Sequence, residues 1–513
     1  MVAQGALPYQ LEIEPRPSSL TALAGLPIYL DLAHVVGLRD AITGHVQVCD
    51  GTQGWTDAQM VTALMLLNVA GGECVEDLEK LEKDPGFALI LHRVETFGLP
   101  RRERRRLERR WRKSKERTVP SVSAMRRYLA AFHRADQELL REPGLAFIPS
   151  PSDALVGLAK VNELCVRFLQ RQSSQAAATL DMDATLIESH KQEALYCYKK
   201  FRAYQPLNVW WAEQQVVVHS EFRDGNVPAG FEQLRVLKRS LEALPEGVET
   251  VSMRSDSAGY QWNLLRYCAE GRNERFGVIE FAVSADVTPQ FRLAVHEVAE
   301  EDWKPLPRRV GDRLVDSDQQ WAEVCFVPQG AGHKKDGPSY RFLAIREPLR
   351  QLEIEGLESD QAELPFPTIT YKESGPARRF KLFGVVTNRE LPGDELIRWH
   401  RERCGKSEEA HAVMKEDLAG GRLPSKYFGA NAAWWAVMIL AMNLNTLMKR
   451  LVLGKAWATK RMKAIRYWII DLPGRVVRHA RQLTLRLTAE HPSAQLLIEA
   501  RLTLAGLARG PSG

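Results

Sequence analysis

Three carboxylates in three different settings carry the chemistry this sequence could perform. Asp183 closes the apolar run Leu180-Asp181-Met182-Asp183, which reads as a strand. Asp256, in Met253-Arg254-Ser255-Asp256, stands where a second strand gives way to a turn containing Gly259. Glu408 lies far downstream in Lys406-Ser407-Glu408-Glu409-Ala410-His411, on a predicted helix. Carboxylates converging at strand ends and on a facing helix can hold two divalent cations roughly 4 Å apart, and such a pair activates water for phosphodiester cleavage. Taken singly, each aspartate is a bland turn cap; the metal reading rests on the three together.

The neighbours refine the choice. Asp181 and Asp183 share one strand face, so one can be the ligand and the other a neighbour behind it, a choice the D-x-T signature described below gives to Asp183. Arg254 shares a face with Asp256, and either a structural ion pair or a contact to the scissile strand fits it. Glu408 is preferred to Glu409 because seven residues on, after two helical turns, Lys415 returns to the same face and can reach a phosphate as a point charge. His190, His219 and His411 lack paired metal-ligand spacing and read as satisfied or surface residues. Trp434-Trp435 reads as core, and Trp210-Trp211 as a strand pair with one ring in and one out.

The elements that must position these residues follow from periodicity and punctuation. Residues 1–150 read as a helical DNA-binding domain. It includes a helix opened by Thr56-Asp57, the run Arg101 to Arg117, and a helix capped by Ser121. From residue 151 to 299 strands alternate with helices: Ala176–Thr185, Leu207–Trp211, Val216–Phe222, a helix, Thr250–Ser255, a helix, and Phe276–Ser284. That is the order of a ribonuclease-H-like mixed α/β sheet, whose first and fourth strands are neighbours. Asp183 and Asp256 fall at the ends of those two strands. Residues 300–392 read as a β-rich insertion, 393–450 as the returning catalytic segment with its Glu-bearing helix, and 451–513 as a basic, helical tail.

The chain has 513 residues, 45% hydrophobic and 26% charged, which suits a folded globular protein of several domains. Its net charge of +6 is unevenly spread. Residues 101–117 carry +8 and residues 440–513 carry +10, leaving −12 elsewhere. Positive charge concentrated in two segments points to a polyanion. Arg105, Arg109 and Arg112 in the first segment, with Arg126 and Arg127 just beyond, are candidate phosphate contacts. Ser121–Arg127 is the candidate for reading bases. Seven cysteines, no two closer than 25 residues, exclude a CxxC zinc ribbon and a disulfide framework and suit a reducing cytoplasm. The start lacks a signal-peptide pattern, and the apolar run Ala432 to Met442 is too short to span a bilayer, so a buried helix and no membrane partner are expected.

The D-x-T signature at Asp183, the Arg-x-Asp-Ser signature at Asp256 and the Glu-x6-Lys signature from Glu408 to Lys415 together resemble the DDE transposases of bacterial insertion sequences. The match looks most similar to insertion-sequence family thirteen-eighty, supported by Ala70–Leu78, Tyr204-Gln205-Pro206-Leu207 and the stretch from Glu408 to Gly420-Gly421. The resemblance implies catalytic, metal-binding Asp183, Asp256 and Glu408 with two Mg²⁺ per site, Mn²⁺ being the alternative. It implies cut-and-paste movement of an element bounded by inverted repeats, target DNA as a second partner, and a homodimer on DNA near the nucleoid. The family's Tyr and Arg slots before the glutamate align on Arg401 and Cys404, or on His400 and Arg403 with a one-residue shift. The shifted alignment makes Arg403 a phosphate contact. Two other readings stand beside this one: a ribonuclease-H-like nuclease or resolvase without strand transfer, and a domesticated DNA binder without activity.

Overall fold

The computed structural model describes residues 2–4, 10–12, 19–49, 54–110, 117–311, 313–328, 340–349, 366–371, 378–480 and 482–509. They fall into two compact units. One comprises Ala135–Ser150 and Asn162–Lys415; the other comprises Met1–Arg134, Pro151–Val161 and Glu416–Gly513.

The first unit is built on a ten-stranded mixed sheet. Five strands form its centre: β1 (Ala177–Ala184), β2 (Leu207–Trp211), β3 (Val216–Glu221), β4 (Thr250–Ser255) and β5 (Glu280–Ala285). Their spatial order is β3-β2-β1-β4-β5, with β1, β4 and β5 parallel and β2 and β3 antiparallel to their neighbours. This is the ribonuclease-H-like arrangement. β1 and β4 are buried on both faces over most of their length, as expected of central parallel strands. Helices α1 (Gln233–Ala243) and α2 (Trp262–Ala269) present one apolar stripe each, Val236, Leu237 and Leu241 on α1 and Leu264, Leu265 and Cys268 on α2, all buried. Trp211 is enclosed and Trp210 half-buried, as the alternation of a strand requires.

The strands of the expected insertion continue this sheet. Arg378–Thr387 pairs antiparallel with β5, then Arg341–Pro348, Gln320–Val324 and Lys304–Pro305 follow outward, and Thr368–Tyr371 pairs with the first half of Arg378–Thr387. The fifth strand is shorter than its apolar run predicts. Asn273 accepts hydrogen bonds from the Arg275 and Phe276 amides, which turns the chain there and delays β5 until Glu280. Helices α3 (Gly393–Arg401) and α4 (Lys406–Ala412) return to the sheet, separated by Gly405 at φ +80°.

In the second unit, helix Asp57–Val69 starts at a capping box in which Thr56 and Gln59 satisfy each other's backbone amides. It packs against Phe428–Leu447, and both helices are buried nearly all round, Trp434 and Trp435 included. The stretch Phe428–Leu453 is longer than the eleven-residue apolar run and is apolar enough to cross a membrane by length alone. Its burial marks it as a core helix. The basic tail departs from the helical expectation. After short helical turns over Lys455–Trp457, Met462–Ile465 and Arg466–Ile470, Gly474–His479 and Gln482–Leu487 form a hairpin that pairs with Leu20–Thr21, and helix resumes at Ala494–Ala508. Alternation in Leu483-Thr484-Leu485-Arg486-Leu487 is the period-two signal of the second strand, and the β-branched pair Val476-Val477 marks the first.

Candidate active site

The site grows from one register. Asp181 on β1 pairs with Arg254 on β4, and Met182 with Ser255, so the next rung sets Asp183 beside Asp256. Neighbouring strands lie about 4.8 Å apart, which puts the two aspartates side by side where both strands end. Past Asp256 the chain makes a single tight turn, Ser257–Gly259, and the Asp256 Oδ1 accepts the Ala258 amide at 3.1 Å. Gly259 is obligatory here, since a Cβ would lie 2.6 Å from the Ser255 side chain. Asp256 is thus a turn cap and a candidate ligand at once.

Burial lifts the Asp183 carboxyl to about 6; the Arg403 guanidinium pulls against that rise, and the Asp256 carboxylate adds to it. Arg403 Nη1 lies 3.5 Å from Asp183 Oδ2. The Arg403 Nε is buried without a hydrogen-bond partner, so this arginine is aimed at the site yet incompletely satisfied. It also lines a cavity of about 890 Å³ shared with His400, Arg401, Arg308 and Gln319.

Asp181 and Arg254 behave differently from their neighbours two residues on. Arg254 is buried, donating from Nε and Nη2 to the two Asp181 oxygens at 2.6 and 2.9 Å. Its Nη1 donates to the Trp399 carbonyl at 2.6 Å and to Glu402 at 3.3 Å, and its guanidinium lies 5.1 Å from the Trp399 ring centroid. Burial raises the Asp181 carboxyl and the Arg254 charge opposes that rise. Arg254 is therefore corrected from a DNA contact to a tie that fastens α3 to the sheet, because its guanidinium is enclosed and committed to protein partners. His400 makes a second tie, donating from Nε2 to the Ser255 carbonyl at 3.1 Å; burial holds its imidazole down near 4 and hence neutral.

A third tie involves α4. Ser220 donates to Asn208 Oδ1 at 2.7 Å, and Asn208 Nδ2 donates to His411 Nε2 at 3.4 Å. Asn208 is the register partner of Asp183. His411 is neutral, its imidazole lowered to about 4 by burial and then by the Lys415 and Arg403 charges. Glu408, one turn earlier on α4, is exposed in its first turn. Among the described residues no three His, Cys, Asp or Glu side chains gather closely enough to hold a metal ion, so Glu408 stands outside the aspartate pair. The step from Glu408 to Lys415 is not two plain helical turns either, for the chain widens into an i→i+5 turn at Val413–Asp417.

The outlying arginines are spread over the second unit. Arg101–Arg110 is helical, with Arg105 exposed; Arg109's side chain and all of Arg112 lie outside the described residues. Arg126 and Arg127 are exposed on Val122–Ala130, which Ser121 caps, and Arg126 is ion-paired with Glu76. Sequence reasoning overlooked Trp399, Glu402, Asn208 and Ser220. Only Asn208 and Ser220, opposite each other across the predicted hairpin, left a signal that register counting could have found.

The donor set suits a hard divalent cation. It offers carboxylate oxygens in a half-buried setting, and the like-charge repulsion that helps raise the Asp183 carboxyl is what a cation would relieve. A family model described as transposase DDE domain group 1 matches residues 9–343 and 368–509. The chain belongs to this family of DDE transposases, whose members generally work with divalent metal ions. No curated protein matches the chain. A solved structure of a piggyBac transposase synaptic complex with hairpin DNA is similar at 10% identity and TM-score 0.45, over 96% of this chain and 83% of that one.

Proposed function

We propose that this chain is a cut-and-paste DNA transposase that binds the inverted-repeat ends of an insertion sequence of family thirteen-eighty. In this reading it cleaves them and joins the 3′-OH ends to target DNA, acting as a homodimer on DNA in the bacterial cytoplasm. One observation carries the reading: Asp183 and Asp256 stand side by side at the ends of adjacent parallel strands in a chain of the DDE family. Asp183 and Asp256 would hold Mg²⁺, with Glu408 as the third carboxylate and Mn²⁺ as the alternative ion. Two such ions, when bound, polarise the attacking water or 3′-OH and stabilise the leaving oxygen.

The protein's own groups do the positioning. Arg254 and His400 fix α3 against β1 and β4, which aims Arg403 at Asp183 and at any phosphate set there. Lys415 supplies a second positive charge beyond α4. For Glu408 to complete the site, α4, a seven-residue helix between Gly405 at φ +80° and a widened turn, would have to bring it to the aspartate pair. The test is cleavage of a plasmid carrying the element ends. Asp183→Asn, Asp256→Asn and Glu408→Gln should each abolish nicking and joining while DNA binding persists. Joining absent but nicking retained in the unaltered chain would favour the nuclease or resolvase reading.

A further inference from the structure

Between β1 and β2 the chain leaves the sheet and builds a small separate structure. Ile187–Glu188 pairs with Ala203–Tyr204, and Leu195–Tyr196 pairs with Arg202–Ala203, making a three-stranded finger. It departs one residue after Ala184 and returns at Leu207, with the Thr185 amide donating to the Pro206 carbonyl at 3.1 Å across its root. The root is thus at the end of the sheet that bears Asp183 and Asp256. From Asp183 to Ile187, and from Tyr204 to the tip at Lys200, is four residues each, with one interstrand step between Ile187 and Tyr204, so the tip is at most about 32 Å from the carboxylates.

The finger's inner side is fixed and its outer side is not covered. Ala194, Cys197, Ala203 and Tyr204 are buried, and Tyr204 stacks on Phe222 with centroids 5.1 Å apart. Gly225 packs so closely beneath that a Cβ would lie 2.5 Å from the Ala203 carbonyl oxygen and 2.7 Å from that of Leu195. Cys197 and Phe201 close the tip by a 2.8 Å backbone hydrogen bond, with Lys200 at φ +64°. On this rigid base Tyr196 is 60% and Tyr198 72% exposed. Arg202 lies 4.9 Å from the Tyr196 ring centroid and Lys199 5.7 Å from that of Tyr198. Residues 190–202 carry Lys191, Lys199, Lys200 and Arg202 against the single carboxylate Glu193.

We infer that this finger grips unpaired DNA near the scissile phosphate, Tyr196 and Tyr198 stacking on bases while Lys199 and Lys200 meet the backbone; Arg202, whose Nη1 donates to the Gln192 and Ala194 carbonyls, braces the Tyr196 ring from within the finger. The inference rests on the active-site reading above for its partner and deepens it by assigning the strand-gripping surface. Exposed aromatic rings interleaved with cations on a fixed scaffold are what single-stranded DNA selects, because every base has a face to stack and every nucleotide a charge. A duplex alone leaves the rings without a partner, since its bases are already stacked.

The test uses the full chain in metal-free buffer and fluorescence anisotropy with two probes, a blunt duplex and the same duplex with a short single-stranded thymidine tail. The tailed probe should bind about tenfold more tightly. Tyr196→Ala/Tyr198→Ala should reduce that preference to roughly twofold or less and leave blunt binding intact, and Tyr196→Phe/Tyr198→Phe should restore it. Lys199→Ala/Lys200→Ala should weaken both probes and flatten the salt dependence by about one to two in log–log slope. Both rings are exposed, so circular dichroism should be unchanged. No tail preference in the unaltered chain would overturn the inference, as would its survival in the double alanine variant. A loss that tracks a change of mass by light scattering would mark the surface as a contact between copies and overturn it too. A chain that cleaves through Asp183 and Asp256 but ignores the tail loses this inference alone. One that prefers the tail while Asp183→Asn still cleaves loses the active-site reading instead.

Discussion

Replacing Arg254 by methionine removes a buried cation and strands a buried anion. The two side chains are each 2% exposed, and four donor contacts of 2.6, 2.6, 2.9 and 3.3 Å are lost together. Breaking a buried ion pair by removing one partner costs about 3–5 kcal/mol, most of it the uncompensated charge left behind. Arg254→Met should therefore destabilise the unit containing the sheet by that amount. Asp181→Leu should cost a similar amount, since it leaves the guanidinium with only Trp399 and a half-exposed Glu402. The double variant places two apolar groups face to face, and it should recover at least about 2 kcal/mol of the summed single losses. Urea titration followed by tryptophan fluorescence reads this directly, because Trp399 sits on the guanidinium. Either single variant costing under about 1 kcal/mol, or a double variant no better than the sum of its singles, would refute the assignment of this pair as the tie beneath the site.

Burial raises the Glu95 carboxyl to about 7, against opposing contributions from Gln59 and Arg39; its Oε2 is enclosed without a partner although the residue is only half-buried. The folded state holds this proton more tightly than the unfolded state, so stability should fall as pH rises from about 4.5 to 7. Glu95→Gln should remove roughly 2–3 kcal/mol of that fall, read as a flatter melting temperature against pH. Gly259→Ala drives a Cβ to 2.6 Å from the Ser255 side chain. It should displace Asp256 and cut plasmid nicking at least about tenfold, with a stability loss of about 1–3 kcal/mol by thermal melting.

Much of the mixed sheet is legible in the sequence because each strand's apolar run is bounded by turn residues, and the strand order alone puts β1 beside β4. Asp183 and Asp256 follow from that order, since parallel register alone brings the two strand ends together. Arg254 was readable only to the level of two alternatives. The choice between them depends on burial and on the Trp399 carbonyl, 145 residues away, which no local pattern encodes. The tail's strands resemble a basic helix by composition, because Arg475, Arg478 and Arg486 break up their few apolar residues. The widened turn at Val413–Asp417 has no sequence signature, so the seven-residue spacing from Glu408 to Lys415 reads as two regular turns.

Calorimetric titration with Mn²⁺ asks most directly whether Asp183 and Asp256 hold a metal together. The unaltered chain should bind the ion. Asp183→Asn and Asp256→Asn should each weaken binding at least about tenfold by removing a hard oxygen donor, while Glu242→Gln, at an exposed surface pair with Arg239, should bind within roughly threefold of the unaltered chain. Unchanged Mn²⁺ affinity in both Asp183→Asn and Asp256→Asn would contradict a shared metal at these strand ends.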